Sequence, residues 1–295
     1  MSGRHARPDP TGDGTLDSLL VLVAESLGYG CRALPGDVVL LEGAARLHVS
    51  MRNLRQLARL VPRDDWPALV SDHVTTIVTA IEEPLDLSDF ELAQHLLRTR
   101  VYPAEADSGV LASRPFAAGL IEAVVVDTPT TVRTVTTEEM HGWPVSGDAL
   151  FMLGRSNVRA DGPLEHEEQD LDGVRVSVLH GWTFYAVTHL AWLEQYLTIG
   201  PYGALVIAPN RSLIVAHALR PGRDARDRHR TAVAAATELQ AHAHRAYEEG
   251  PGSLSPDLYW WRNGELTLLE TRYDGDRVVL PPDFVSMLSA RTAEH

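Results

Sequence analysis

The chain contains 26 arginines and no lysine. Catalysis through a lysine Schiff base and a pyridoxal phosphate anchor both require that amine, as does the phosphate-binding loop that ends in Lys-Ser or Lys-Thr. The lysine with which kinases hold ATP is missing for the same reason. The sequence therefore excludes all four of these mechanisms.

Cysteine is almost absent as well, because Cys31 is the only one in the chain. A single thiol excludes an internal disulfide, a CxxC zinc site and an iron–sulfur cluster held by the protein itself. Cys31 falls in a predicted strand with apolar neighbours, which indicates a packed, unreactive thiol. These features fit a reducing setting, and we expect a cytoplasmic protein.

Long hydrophobic runs and an excess of positive charge are also missing. No apolar run approaches the roughly 20 residues that cross a bilayer, and residues 1–14 lack the apolar segment of a secretory signal and predict a disordered leader. The net charge is -14, from 40 acids against 26 bases, and a surface of that sign repels polyanions. We expect neither a membrane nor a nucleic acid as partner.

The clearest signal that is present is a pair of buried strands. Residues 204–219, ALVIAPNRSLIVAHAL, place two runs of Val, Ile and Leu on either side of Pro209-Asn210-Arg211, which predicts a hairpin. Residues 120–127, LIEAVVVD, predict another strong strand. Residues 258–261 and 266–271 predict a second hairpin across Asn263-Gly264.

Helices and strands follow in a similar order in both halves of the chain. A strand is predicted over residues 182–187 and a long helix over about residues 224–249. Strict strand–helix alternation is absent, so we predict an α+β fold with antiparallel sheets packed against helices, in two lobes of similar element order. The expected division is the leader 1–14, an N-terminal lobe 15–160, an acidic linker loop 161–173 and a C-terminal lobe 174–290.

Two repeated tripeptides suggest a histidine site. His141-Gly142-Trp143 and His180-Gly181-Trp182 each fall at a predicted element boundary. Such a histidine can lie at the mouth of a pocket, where Asp127 at a strand end can orient it as a general base. The structural alternative places both tryptophans in the core and the glycines in turns, with the histidines capping nearby carbonyls.

The acidic segment around His166 resembles a metal motif only in part. The second histidine of a zinc-protease helix is missing, because Asp170 occupies its position. A hard cation among the neighbouring carboxylates is the alternative, but the segment lacks the glycine and residue order of a calcium loop. We read a solvated loop, and we predict no metal and no cofactor.

One cationic cluster, RPGRDARDRHR at residues 220–230, stands at the start of the predicted long helix. Its arginines next to a helix N-terminus can hold a phosphate or a carboxylate. The alternative is a network of ion pairs with Asp224, Asp227 or acids elsewhere. The candidate anion-binding residues are Arg220, Arg223, Arg226 and Arg230.

The central hairpin, together with RTRVYP at residues 98–103 and GLIEAVVVDTP at residues 119–129, resembles the YtpQ-like family of uncharacterised bacterial proteins. The likeness extends from about Arg46 to Arg272 and concerns the order of the elements and the residue composition of the strands. The acidic segment and the arginine cluster look peculiar to this chain. The resemblance implies a soluble bacterial protein and no site residues.

These observations favour a non-catalytic protein that binds another protein, as an adaptor, a chaperone-like or an immunity-type protein. It would use a sheet face, an edge strand or its acidic surface, which attracts basic partners. No GxSxG nucleophile elbow occurs in the chain. The alternatives are a hydrolase-like enzyme with His141 or His180 as base and Asp127 as orienter, with or without a metal, and an anion- or nucleotide-binding protein.

Overall fold

The computed structural model describes residues 10–34, 38–44, 46–82, 86–107, 109–128, 132–181, 184–274 and 277–290. They form two compact units, the first within residues 1–86 and the second within residues 87–128 and 132–295. The boundary falls near Asp86 and not in the acidic segment, because Val101 and Leu120 share a core with Leu190 and Tyr259. Of the expected leader, residues 1–9 lie outside the described residues, and Pro10 already begins a helix.

The first unit packs helices on a three-stranded antiparallel meander. Helix α1 and helix α3 pack on each other, and the indole N–H of Trp66 donates to the Ala58 carbonyl over 2.9 Å. The elements are α1 (Pro10–Ser26), β1 (Gly30–Leu34), β2 (Val38–Glu42), β3 (Arg46–Ser50), α2 (Arg52–Ala58) and α3 (Trp66–Glu82).

The second unit contains a six-stranded sheet in the order β13-β12-β10-β11-β9-β8, a smaller sheet in the order β4-β6-β5 with β7 beside β6, and the ribbon β14-β15. Its first elements are α4 (Phe90–Leu96), β4 (Leu97–Pro103), β5 (Ser113–Ala117), β6 (Leu120–Asp127), β7 (Val132–Thr134), α5 (Thr137–Gly142), α6 (Gly147–Ala160), β8 (Glu165–Leu171) and β9 (Val174–His180). Then come β10 (Ala204–Asn210), β11 (Leu213–Ala218), α7 (Ala225–Glu249), β12 (Leu258–Arg262), β13 (Glu265–Leu268), β14 (Arg272–Asp274), β15 (Arg277–Val279) and α8 (Pro282–Ser289).

Every strand pair among the described residues is antiparallel, so the predicted α+β fold with antiparallel sheets is confirmed. The predicted hairpin at the centre is β10 and β11. The second predicted hairpin is β12 and β13, although its second strand ends at Leu268 and not at residue 271. Helix α7 covers one face of the six-stranded sheet, because a row of small apolar residues faces the strands. These residues are Ala232, Ala235, Ala236, Leu239 and Ala243.

The strand predicted at residues 182–187 is wrong. Residues 182 and 183 lie outside the described residues, and Ala186–Gln195 forms a 3-10 helix. Its residues from Ala186 to Leu190 are buried on the other face of the six-stranded sheet. Aromatic and β-branched residues favour a strand only where they can pack on a pleated surface, and here the same residues fill the core from a helical turn.

The loop predicted at residues 161–173 is also wrong, because Glu165–Leu171 forms strand β8. Asp172 and Gly173 have positive φ angles of 48° and 88°, which is the backbone of a tight two-residue hairpin turn. The Gly173 N–H donates to the Asp170 carboxylate over 2.7 Å. The turn therefore folds the acidic segment back along β9. Among the described residues, no helix is both long and apolar enough to cross a membrane.

Candidate functional site

Strand β8 is an edge of the six-stranded sheet and carries four carboxylates. All of its residues pair with β9, from Glu165 opposite His180 to Leu171 opposite Val174. No described strand pairs with its outer side, and every residue except Leu171 is exposed. Such an edge offers backbone N–H and C=O groups to another extended chain. We call Glu165, Glu167, Glu168 and Asp170 the acidic edge.

The acidic edge presents its charges on both faces of the sheet, because side chains alternate along a strand. Glu168 stands opposite Ser177 in the register, whereas Glu167 stands opposite Val178. One cation therefore cannot collect all of these carboxylates. Among the described residues, no group of three or more His, Cys, Asp or Glu side chains is placed to hold a metal ion.

Glu168 is held by its neighbours. Its carboxylate accepts hydrogen bonds from the Ser177 hydroxyl at 2.5 Å and from Arg175 Nε at 2.9 Å, and His166 Nε2 lies 3.3 Å away. The Ser177 bond has the largest effect and lowers the pKa of Glu168, burial opposes it, and the Arg175 and His166 bonds add to the lowering. Glu168 is thus fixed as a carboxylate.

His180 lies against the opposite face of the acidic edge. Its Nδ1 atom is 3.6 Å from a Glu165 oxygen, and its Nε2 atom is 3.6 Å from a Glu167 oxygen. Both ring nitrogens therefore face carboxylates of β8.

A cavity of about 870 Å³ opens beside the acidic edge and is lined by His166, Glu168, Arg175, Ser177 and His217 among others. His217 Nδ1 donates to the Arg175 carbonyl over 2.8 Å. Burial is the main influence on His217 and lowers its pKa, so the ring is neutral near pH 7. Helix α7 and the residues that follow the 3-10 helix complete the wall.

The predicted base and its orienting carboxylate do not come together in the contacts of the described residues. His141 is exposed at the end of α5, and His180 faces the acidic edge. Asp127 lies beside Tyr185, whose pKa is raised by burial and then by Asp127. Trp143 is buried and donates to the Leu87 carbonyl over 2.8 Å, as the structural alternative predicts. Its counterpart Trp182 lies outside the described residues.

Some arginines of the cluster at residues 220–230 are engaged by groups of their own segment or of α8. Arg230 pairs with Asp227 at 2.6 Å, and the same carboxylate accepts the Arg223 backbone N–H at 3.1 Å. Arg228 Nε donates to the Leu288 carbonyl over 2.6 Å. The Arg230–Asp227 pair agrees with the ion-pair alternative at that position. Arg220 lines the cavity, and Arg226 is exposed.

Sequence reasoning did not single out Ser177 or His217, and it placed the acidic edge in a loop. Asp172-Gly173 was the available signal, because Asp-Gly between two strands is a strong hairpin marker. Cys31 agrees with its prediction, since it is a free and partly buried thiol on β1, and burial raises its pKa.

Comparisons with known proteins add no constraint on this site. No family model, no curated protein and no solved structure matches the chain. The resemblance to the YtpQ-like family stays a prediction. The function proposed below rests on the geometry of the acidic edge.

Proposed function

We propose that this chain is a non-catalytic, cytoplasmic bacterial protein that binds another protein, as an adaptor, a chaperone-like or an immunity-type protein. An extended, basic segment of the partner pairs with the acidic edge. The observation that carries this proposal is a seven-residue strand with four carboxylates whose outer side no described strand occupies. The presence of a single cysteine in the chain supports a reducing location.

The backbone of β8 supplies the affinity in this proposal. An extended peptide that adds to a sheet edge gains main-chain hydrogen bonds, and its alternate side chains reach the two faces of the sheet. Strand β8 pairs with β9 along its whole length, without a register shift. Its outer edge is therefore regular enough to accept a strand of similar length.

The charges of β8 supply the choice of partner. Two copies of the acidic edge would place like charges opposite each other, which is unfavourable between paired strands. A basic strand gains from the same geometry, and the net charge of -14 attracts it from a distance. Its side chains on the Glu168 face would lie next to the cavity. The competing explanation is that the carboxylates only prevent edge-to-edge aggregation.

The direct test uses short synthetic peptides in which Arg alternates with Val, titrated into the full-length protein by isothermal calorimetry. We expect saturable binding that weakens as salt is added, because salt screens exposed charges. Peptides with Glu in place of Arg should not bind. Failure of the basic peptides to bind at low salt would contradict the proposal.

A matched pair of variants locates the binding. E165R/E167R reverses two charges of the acidic edge, and we expect about tenfold weaker binding, since paired charges are replaced by repulsion. E248R/E249R makes the same change in net charge at two exposed positions of α7 and should leave the affinity unchanged. Equal weakening in both variants would show a general charge effect and would remove β8 as the site.

A further inference from the structure

A second cluster of charge surrounds Phe184, which lies four residues after the end of β9. Arg100 on β4 has its guanidinium carbon 4.9 Å from the centre of the Tyr102 ring and 5.6 Å from that of Phe184. Arg211, in the turn between β10 and β11, has its guanidinium carbon 5.5 Å from the same Phe184 ring. Two cations therefore face one aromatic ring. We call Arg100 and Arg211 the arginine pair.

The arginine pair has no anionic partner among the described residues. Arg100 is only 8% exposed, and its Nε atom is buried without a hydrogen-bond partner. Neither guanidinium forms an ion pair with a described carboxylate, and Asp127 interacts with Tyr185 instead. Buried arginines are nearly always paired. An unsatisfied buried donor of this kind points to a missing ligand.

The two cations also act on each other. Burial and then the neighbouring Arg100 lower the pKa of Arg211 to about 10, with Tyr102 acting in the opposite direction. A guanidinium resists loss of its proton, so both side chains keep their charge at neutral pH. Bringing two like charges together away from water is unfavourable, and an anion between them would relieve both burial and repulsion.

The fold holds Arg211 in this position. Its backbone N–H donates to the Gly252 carbonyl over 3.0 Å. Gly252 has a positive φ of 71° and lacks a side chain, and a Cβ atom there would overlap the Arg211 guanidinium. On the other side, β4 places Arg100 opposite Ala123 of β6. The backbone around both arginines is thus fixed by the sheet and the turn, and neither side chain projects from a mobile surface segment.

We propose that Arg100 and Arg211 bind the phosphate group of a small phosphorylated ligand. Guanidinium groups present planar sets of donors that match phosphate oxygens, and two of them balance the charge of a phosphate monoester dianion. Phe184 is 50% exposed and provides an apolar wall beside the phosphate. This site differs from the predicted anion cluster at residues 220–230 and uses no residue of the acidic edge.

The test is calorimetric titration of inorganic phosphate into the full-length protein at low salt, followed by AMP and adenosine. We expect phosphate and AMP to bind and adenosine not to bind. AMP that binds more tightly than phosphate would identify a nucleotide as the source of the phosphate group. Equal affinities would identify the phosphate group alone as the ligand, and either result supports the site.

Variants decide where the phosphate binds. R211Q should weaken phosphate binding about 10- to 100-fold, the cost of one lost charged hydrogen-bond contact, whereas R226Q, at an exposed position of the other cluster, should not change it. Arg211 is less buried than Arg100, so R211Q is expected to fold, and a thermal melt confirms this. G252A keeps both arginines but displaces Arg211, and it should also weaken binding. Absence of saturable phosphate binding, or equal affinity in wild type and R211Q, would overturn the proposal.

Discussion

The neighbours of the buried His189 side chain determine which of its ring nitrogens carries the proton. The Nδ1 atom accepts the Trp192 indole N–H at 3.2 Å and lies 2.6 Å from the Tyr196 hydroxyl. That hydroxyl accepts the Leu164 backbone N–H at 3.0 Å. Because Nδ1 already accepts from Trp192 and so carries no proton, the Tyr196 hydroxyl donates to it. Two donors directed at Nδ1 leave the ring proton on Nε2. A second proton on this ring would occupy the Nδ1 lone pair, to which both donors point.

The pH dependence of stability follows from His189, which is 2% exposed. Burial lowers its pKa to about 4, with Asp161 acting in the opposite direction. As the pH falls from 6.5 to 4, the His189 ring becomes protonated in the unfolded chain but stays largely neutral in the folded chain. The free energy of unfolding should therefore fall by about 3 kcal/mol over that range. Urea unfolding of the wild type at pH 7 and at pH 4 measures the loss.

The H189Q variant separates this loss from that of other groups. It removes the titrating ring, so the drop in unfolding free energy between pH 7 and pH 4 should be smaller than in the wild type. H141Q removes an exposed histidine and should leave the drop unchanged. The same drop in H189Q and in the wild type would show that His189 does not titrate as described.

Individual residues were predictable where the reason lay in their neighbours along the chain. The apolar strand around Cys31 indicated a packed thiol, and Trp143 at an element boundary indicated a core residue. The arginine pair had no such local signal. Arg100 and Arg211 are far apart in sequence, and their lack of partners arises only when β4 and the turn after β10 meet in the fold.

At the level of elements, two turns contain a similar hairpin dipeptide, but a hairpin was predicted at only one of them. Asn263-Gly264 has φ angles of 52° and 82°, and Asp172-Gly173 has 48° and 88°. The first joins β12 and β13, whose strands are partly apolar, and the hairpin was predicted. The second follows β8, an edge strand exposed on both faces. Without a buried face it shows no alternation of apolar and polar residues, and this pattern was the basis for finding strands.

The contact between α6 and β4 depends on Gly154. A Cβ atom at this position would lie 2.8 Å from Thr99 Cγ2 and 2.9 Å from the Arg98 carbonyl carbon. Alanine would favour the helix by about 1 kcal/mol, but the overlap with a strand backbone outweighs this gain. We expect G154A to lower the free energy of unfolding by about 1–3 kcal/mol, measured by urea unfolding.

Gly147 provides the control, because it belongs to the same helix. A Cβ atom there would meet only the flexible Met140 side chain, at 3.5 Å. G147A should therefore unfold at nearly the same urea concentration as the wild type. Equal destabilisation by the two substitutions would show that the cost arises from the helix itself and not from its packing on β4.

For the whole molecule, composition and element order were sufficient to predict the α+β class but not the division of the chain. The core of the first unit uses residues between Leu16 and Val78. The second unit draws Leu97 and Trp143 into one cluster, and Val101 and Tyr259 into another. Contacts across such distances in the chain follow from sheet order, and local sequence patterns do not specify sheet order.

The charge of the whole molecule and the acidic edge both support the proposal that a basic partner is bound. A chain with a net charge of -14 attracts basic partners and repels its own copies. Strand β8 places four of those acids on backbone that can accept another strand. The central claim is therefore that a basic segment of a partner pairs with β8.

Photocrosslinking inside cells of the native host, where the natural partner is present, tests this claim most directly. A photoreactive residue replaces Gln169 on β8 in one variant and the exposed Met152 of α6 in another, and mass spectrometry maps each adduct to a segment of the partner. The account predicts adducts at position 169, on a basic segment, that disappear when E165R/E167R is added, and none at position 152. Adducts on acidic or uncharged segments, equal adducts at both positions, or none at position 169 would contradict it.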